Sequence, residues 1–154
     1  MYVCSGLRVS HPKKMSKEPI LAIHIDIAEK GLRMITELGE VSMIPFAGTV
    51  DCEAFKGIVE PWGVDTQVVN QAGVRHMSAR YVLTGKDEEG NDCHIYIENN
   101  GWMENKPSRS FTTVPTFFTD SKILAPVLHR NQFIGTGNVE EDGLWIRFYE
   151  IDHQ

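Results

Sequence analysis

Asp65, Gln67 and Arg80 are the polar residues best placed to do chemistry. Asp65 and Gln67 lie two apart in an extended run, so the period-two geometry of a strand puts both side chains on one face. Arg80 belongs to the next extended run and comes within reach of Asp65 if the two runs form a hairpin. A carboxylate and a guanidinium at a barrel mouth would orient the polar end of a ligand. Equally, Asp65 would act as a general base and Arg80 would stabilise developing negative charge. The same pair also fits a structural ion pair, or a carboxylate capping the Pro61-Trp62-Gly63 turn. Alternation through Arg75–Thr84 sets Met77, Ala79, Tyr81 and Leu83 together, with Arg80 on the opposite face. If that apolar set fills the interior, Arg80 points to solvent; it points inward only in a barrel with a polar lumen.

Tyr81, Tyr96, Asn99 and Thr113 join Gln67 as candidate ligand contacts. Tyr96 and Glu98 share a face, which suits either an acid–base pair or an ordinary cross-strand surface. Asn99 and Asn100, just before Gly101, also fit the end of a strand, where asparagine tolerates left-handed geometry. His24 and Asp26 share a face, and His76 and His94 occupy neighbouring runs, yet the chain has no HExxH and no cysteine pair. No metal site and no cofactor are expected from that spacing. Cys52 and Cys93 have no adjacent base in sequence and read as inert buried thiols. Gly135-Thr136-Gly137 sits in a strand-rich stretch, not at a strand-to-helix turn, and no Gly-x-Ser-x-Gly is present, so nucleotide binding and serine-nucleophile hydrolysis find no support.

The elements that must position these residues are strands. Leu21, Ile23, Ile25 and Ile27 alternate with Ala22, His24 and Asp26; Cys93, Ile95 and Ile97 alternate with His94, Tyr96 and Glu98. Leu144, Ile146 and Phe148 alternate in the same way with Trp145, Arg147 and Tyr149. Glu88-Glu89-Gly90-Asn91 and Glu141-Asp142-Gly143 are hairpin turns by composition, because glycine accepts positive φ. The pattern predicts an all-β fold, an antiparallel up-and-down β-barrel of about eight to nine strands. A single short helix is expected over Ala125–Arg130, with Asp120 at its N-cap and Pro126 limiting its length.

Several segments resemble the domain-of-unknown-function 3237 proteins, also called uncharacterised protein family 0311. They are Ile44–Val50, Phe55–Gln67, Ala79-Arg80-Tyr81, Ile95–Gly101, Phe111–Pro115, Phe133–Gly137 and Ile146–Ile151, in this order. The resemblance implies a small antiparallel barrel with an unassigned role.

Composition bounds the rest. With 154 residues, 42% hydrophobic and 23% charged, the chain suits one ordinary globular domain. A formal net charge of -6 repels a phosphate backbone, so nucleic acid is not an expected partner. Three cysteines without a CxxC point to a reducing compartment, the cytoplasm, and no apolar run is long enough for a leader or a membrane span. Residues 1–18 read as an N-terminal extension, with Arg8, Lys13 and Lys14 and no acidic residue before Met15; residues 19–154 read as the barrel domain. The leading expectation is a barrel that binds a small hydrophobic or aromatic metabolite. A cofactor-independent isomerase or cyclase using the same pocket is the first alternative. The second is a self-assembling module, a homo-oligomer using exposed Trp102 or Trp145.

Overall fold

Tight turns convert the alternating runs into a continuous antiparallel meander. The computed structural model describes residues 14–152. In chain order its strands are β1 (Lys14–Met15), β2 (Leu21–Ile27), β3 (Leu32–Thr36), β4 (Gly39–Asp51), β5 (Phe55–Val59) and β6 (Val64–Asn70). They continue with β7 (Val74–Asp87), β8 (Asp92–Glu104) and β9 (Ser110–Thr119), then helix α1 (Ala125–Leu128), then β10 (Phe133–Glu140) and β11 (Gly143–Asp152). At the β7–β8 hairpin, Gly90 takes φ +81, and Asp87 Oδ1 accepts the backbone N–H groups of Glu89 and Asn91, both at 3.0 Å. The expected turn at Pro61–Gly63 forms between β5 and β6 and is closed by Gly63 N–H donating to the Glu60 carbonyl at 3.2 Å.

The barrel closes because β11 pairs with β2, Ile146 lying opposite Ile23. Around the wall, β4 and β7 are long enough for two short strands to share the space between them. There β5 pairs with their far halves and β6 with their near halves. The result is a closed antiparallel barrel of eight staves, as the alternation predicts. β3 stands outside it: it pairs with β4 alone, so its other edge carries no strand among the described residues. β1 pairs with the end of β11, Met15 opposite Ile151, so Lys14 and Met15 of the expected extension 1–18 belong to the sheet. Residues 1–13 of that extension lie outside the described residues.

Side chains fill one half of the interior and leave the other half open. Leu21, Phe55, Leu83, Ile95 and Phe148 are fully buried, and Phe117 stacks edge-on against Phe133 and Phe148 at 5.1 and 5.2 Å. α1 plugs this end with Leu124 and Leu128. The helix is shorter than expected, ending at Leu128, and Asp120 is not its cap. Asp120 instead accepts the His94 backbone N–H at 2.6 Å and holds the His94 ring at 2.8 Å. Leu124 holds the N-cap position and the helix has no side-chain cap; just before it, Ser121 accepts the Leu124 N–H on its Oγ at 3.2 Å and the Ala125 N–H on its carbonyl at 2.9 Å.

Candidate functional site

The half of the barrel away from α1 encloses a cavity of about 130 Å³. Ile25, Ile44, Phe46, Met77, Leu144 and Ile146 make most of its wall, and half-exposed Ile27 marks its opening to solvent. Each comes from the inward-facing parity of its strand, so the apolar halves of the alternating runs build a pocket here where they build a packed core below.

Asp65 is the carboxylate of this cavity, and Gln67, Tyr81, Asn99 and Thr113 line it too. Gln67 Nε2 donates to Asp65 Oδ2 at 2.7 Å, and the Arg75 guanidinium donates to Gln67 Oε1 and, at 2.7 Å, to Asn105 Oδ1. Arg75 therefore fixes which way the Gln67 amide faces and, through it, the Asp65 carboxylate. Burial raises the Asp65 carboxyl above its ordinary value, against the lowering effect of Gln67, the Ser78 backbone N–H and the Arg75 and His76 charges. Burial, helped by the Asp65 charge, pushes the neighbouring Tyr81 phenol far above its ordinary value, so Tyr81 remains a neutral O–H that packs edge-on against Phe46 at 5.1 Å.

Among the described residues, three buried side-chain atoms have no hydrogen-bond partner: Asp65 Oδ1, Asn99 Oδ1 and Thr113 Oγ1. All three belong to residues lining this cavity. Unpartnered buried polar groups are rare in folded proteins and each costs on the order of 1–3 kcal/mol, so their concentration in one place sets this cavity apart from the packed end. Gly135 faces Thr113 across the β9–β10 pair, and a Cβ there would lie 2.2 Å from Thr113 Oγ1, so only glycine leaves the hydroxyl its space.

Arg80 and Tyr96 are not part of the site. Val64 lies opposite Arg80 and Asp65 opposite Ala79, so Asp65 and Arg80 stand on opposite faces of the wall and form no pair. Arg80 is 65% exposed and reaches Glu98 at 3.2 Å on the outer surface, where the Tyr96 hydroxyl contacts the same carboxylate at 3.5 Å. The apolar parity of β7 fills the interior and sends Arg80 outward, the first of the two outcomes its alternation allowed. Asn99 ends no strand: β8 runs on to Glu104, and Asn99 turns inward while Asn100 faces out to His76 at 3.2 Å. His24 stacks on Trp145 at 4.7 Å and His76 on Trp102 at 4.4 Å. Among the described residues no three His, Cys, Asp or Glu side chains converge as metal ligands would.

A family model described as a protein of unknown function, DUF3237, matches residues 15–151, nearly the whole barrel. The chain belongs to the DUF3237 family. A UPF0311 protein of Clostridium acetobutylicum is 28% identical over 160 residues, covering 93% of this chain and 98% of that one. A crystal structure of a protein with unknown function from the same organism superposes with a TM-score of 0.72 at 29% identity, over 90% of this chain and 100% of that one. A conserved protein of unknown function from Rhodopseudomonas palustris shares the fold, with a TM-score of 0.71 at 20% identity over 90% of this chain and 99% of that one. In this DUF3237 chain, Arg75 is the site residue that reasoning from sequence passed over. Its parity with Met77 and Tyr81 was readable, but its contact with Gln67 needed the register of β6 against β7.

Proposed function

We propose that this DUF3237 barrel binds a small, largely apolar molecule at its open end, with Asp65 as the ionisable group that meets it. The observation carrying this reading is a carboxyl held by Gln67 on one oxygen and left without a partner on the other, inside an otherwise apolar cavity. A ligand-independent barrel would gain stability by filling this space with a methyl-bearing side chain, as the opposite end does. Burial raises the Asp65 carboxyl above its ordinary value, the direction that strengthens a carboxylate as a proton acceptor. Cofactor-independent proton transfer, an isomerisation or cyclisation, is therefore the chemistry this cavity favours if it turns a ligand over. Asp65 would carry the proton alone, since no arginine, lysine or histidine among the described residues lines the cavity.

A thermal-shift screen against small aromatic and alicyclic alcohols, ketones and lactones tests it. A ligand at about 100 times its dissociation constant adds about 2.7 kcal/mol, a rise of several degrees in Tm for a domain of this size. Shifts that vanish in Asp65→Asn support the reading. Shifts of equal size in the variant would move the ligand away from Asp65, and product formed by wild type but not by Asp65→Asn would establish turnover.

A second reading, self-assembly, has its own observation. Edge strand β3 exposes Leu32, Met34 and Ile35 by 61, 52 and 66%, and its charged residue, Arg33, is already paired with Glu40 at 2.7 Å. An open apolar edge without a free charge suits antiparallel pairing with β3 of a second copy. Wild type should sediment as a dimer and Met34→Lys as a monomer; a monomeric wild type overturns this reading.

A further inference from the structure

The chemistry of the cavity wall restricts what it accepts, an inference resting on the binding reading above. We propose that the site selects an uncharged, single-ring molecule carrying two hydrogen-bond donors, and rejects the corresponding anion. Asn99 Oδ1 and the Asp65 carboxylate oxygen Oδ1 accept, and the Thr113 hydroxyl both accepts and donates; none of the three has a partner within the fold. A ligand that supplies two O–H or N–H groups satisfies Asn99 Oδ1 and Asp65 Oδ1; one that supplies only ether or carbonyl oxygens meets the Thr113 hydroxyl alone and leaves those two acceptors orphaned at further cost.

Register shows that the wall is built for contact. Asp65 lies opposite Ala79 across β6–β7, and Ala79 lies opposite Asn99 across β7–β8. The two acceptors thus stand two strands apart, about 10 Å between backbones, with only a methyl group between them. The next acceptor repeats the arrangement. Thr113 has Gly135 as its β10 partner, and Gly101 approaches from the β8 side, where an added Cβ would lie 3.0 Å from Thr113 Cγ2. Polar residues alternating with alanine and glycine make an arc of acceptors with open space in front of it.

Charge and size complete the case. A carboxylate or phosphate entering the cavity would meet Asp65 and no cation among the described residues. Arg80 points outward, and Arg75 is committed to Gln67 and Asn105. A like charge beside a desolvated carboxylate is strongly disfavoured. The volume of about 130 Å³ is close to that of an apolar cavity that takes up benzene, about 150 Å³, so one ring fits and a fused system would have to project through the mouth.

The test is an NMR titration of the protein with four single-ring probes: resorcinol, 1,3-dimethoxybenzene, benzoate and toluene. Resorcinol should bind at least about tenfold more tightly than 1,3-dimethoxybenzene or benzoate, the factor expected for about 1.4 kcal/mol of lost hydrogen bonding. In Thr113→Val and Asn99→Leu, which keep side-chain size, that preference should fall to about twofold or less, and toluene should bind at least as tightly as to wild type because the wall has become more apolar. Equal affinities for resorcinol and 1,3-dimethoxybenzene, or tighter binding of benzoate, would overturn the donor selection and leave the cavity as a plain apolar site. If no probe shifts the resonances of the lining residues, the binding reading itself falls, and the selectivity with it.

Discussion

At the residue scale, the unpartnered acceptors set up an opposition between stability and function. Thr113→Val removes an unsatisfied hydroxyl at constant shape, so the free variant should melt at the same temperature as wild type or higher. A fall of several degrees would mean that the hydroxyl is satisfied within the fold. Asp65 gives a signed pH dependence. Its folded-state value is raised, so below the ordinary carboxylate range both folded and unfolded chains are protonated there and burial carries no ionic penalty. As pH rises through the unfolded value toward the folded one, the unfolded chain ionises first and stability is lost. Above the folded value the loss is constant. The Tm of Asp65→Asn minus that of wild type should therefore increase as pH is raised from about 3 toward neutrality. A difference that is flat with pH would contradict the burial of this carboxyl. Arg80→Ala, on the outer wall beside Glu98, should change stability by less than about 1 kcal/mol and ligand shifts not at all.

At the element scale, one strand serves two ends of the barrel. β11 contributes Phe148 to the packed end and Leu144 and Ile146 to the cavity. Phe148→Ala empties a fully buried ring site and should cost about 3–5 kcal/mol, a Tm drop on the order of 10 °C. The short helix is a plug held by polar contacts: Ser121 Oγ donates to Asp87 Oδ2 at 3.3 Å and accepts from Leu124. Ser121→Ala should cost on the order of 1 kcal/mol in a denaturant melt, the worth of a buried hydrogen bond, and leave the far cavity unaffected.

At the scale of the whole molecule, closure decides which backbone is protected. The β2–β11 seam removes the free edges of the main wall, whereas β3 is held on one side only. In the isolated chain at high dilution, hydrogen exchange should be slowest in β7 and β8, which have partners on both sides, and fastest in β3. Slow exchange along all of β3 at high dilution would show that its edge is covered. A wall sealed at one end by α1 and open at the other also gives the barrel a direction: under the proposed binding, a ligand would enter past Ile27 and reach Asp65 without passing the core.

Alternation, glycine-bearing turns and β-branched runs in the sequence determined the class of fold, the turn at Gly63, the hairpins at Gly90 and Gly143, and the shared face of Asp65 and Gln67. These are local properties, governed by a two-residue period and by backbone sterics. The parity that sends Arg80 outward was also legible, but only the filled interior settled which face was inside. Tyr96 fell on the wrong face for the same reason, and the inward turn of Asn99 stayed hidden because β8 continues through Gly101. Only the tertiary structure decided that β5 and β6 share one stave, that Asp120 serves His94 and not the helix, and that three acceptors from β6, β8 and β9 meet in one cavity. Those are matters of register between strands distant in sequence, and register is fixed by how the whole interior packs when the barrel closes.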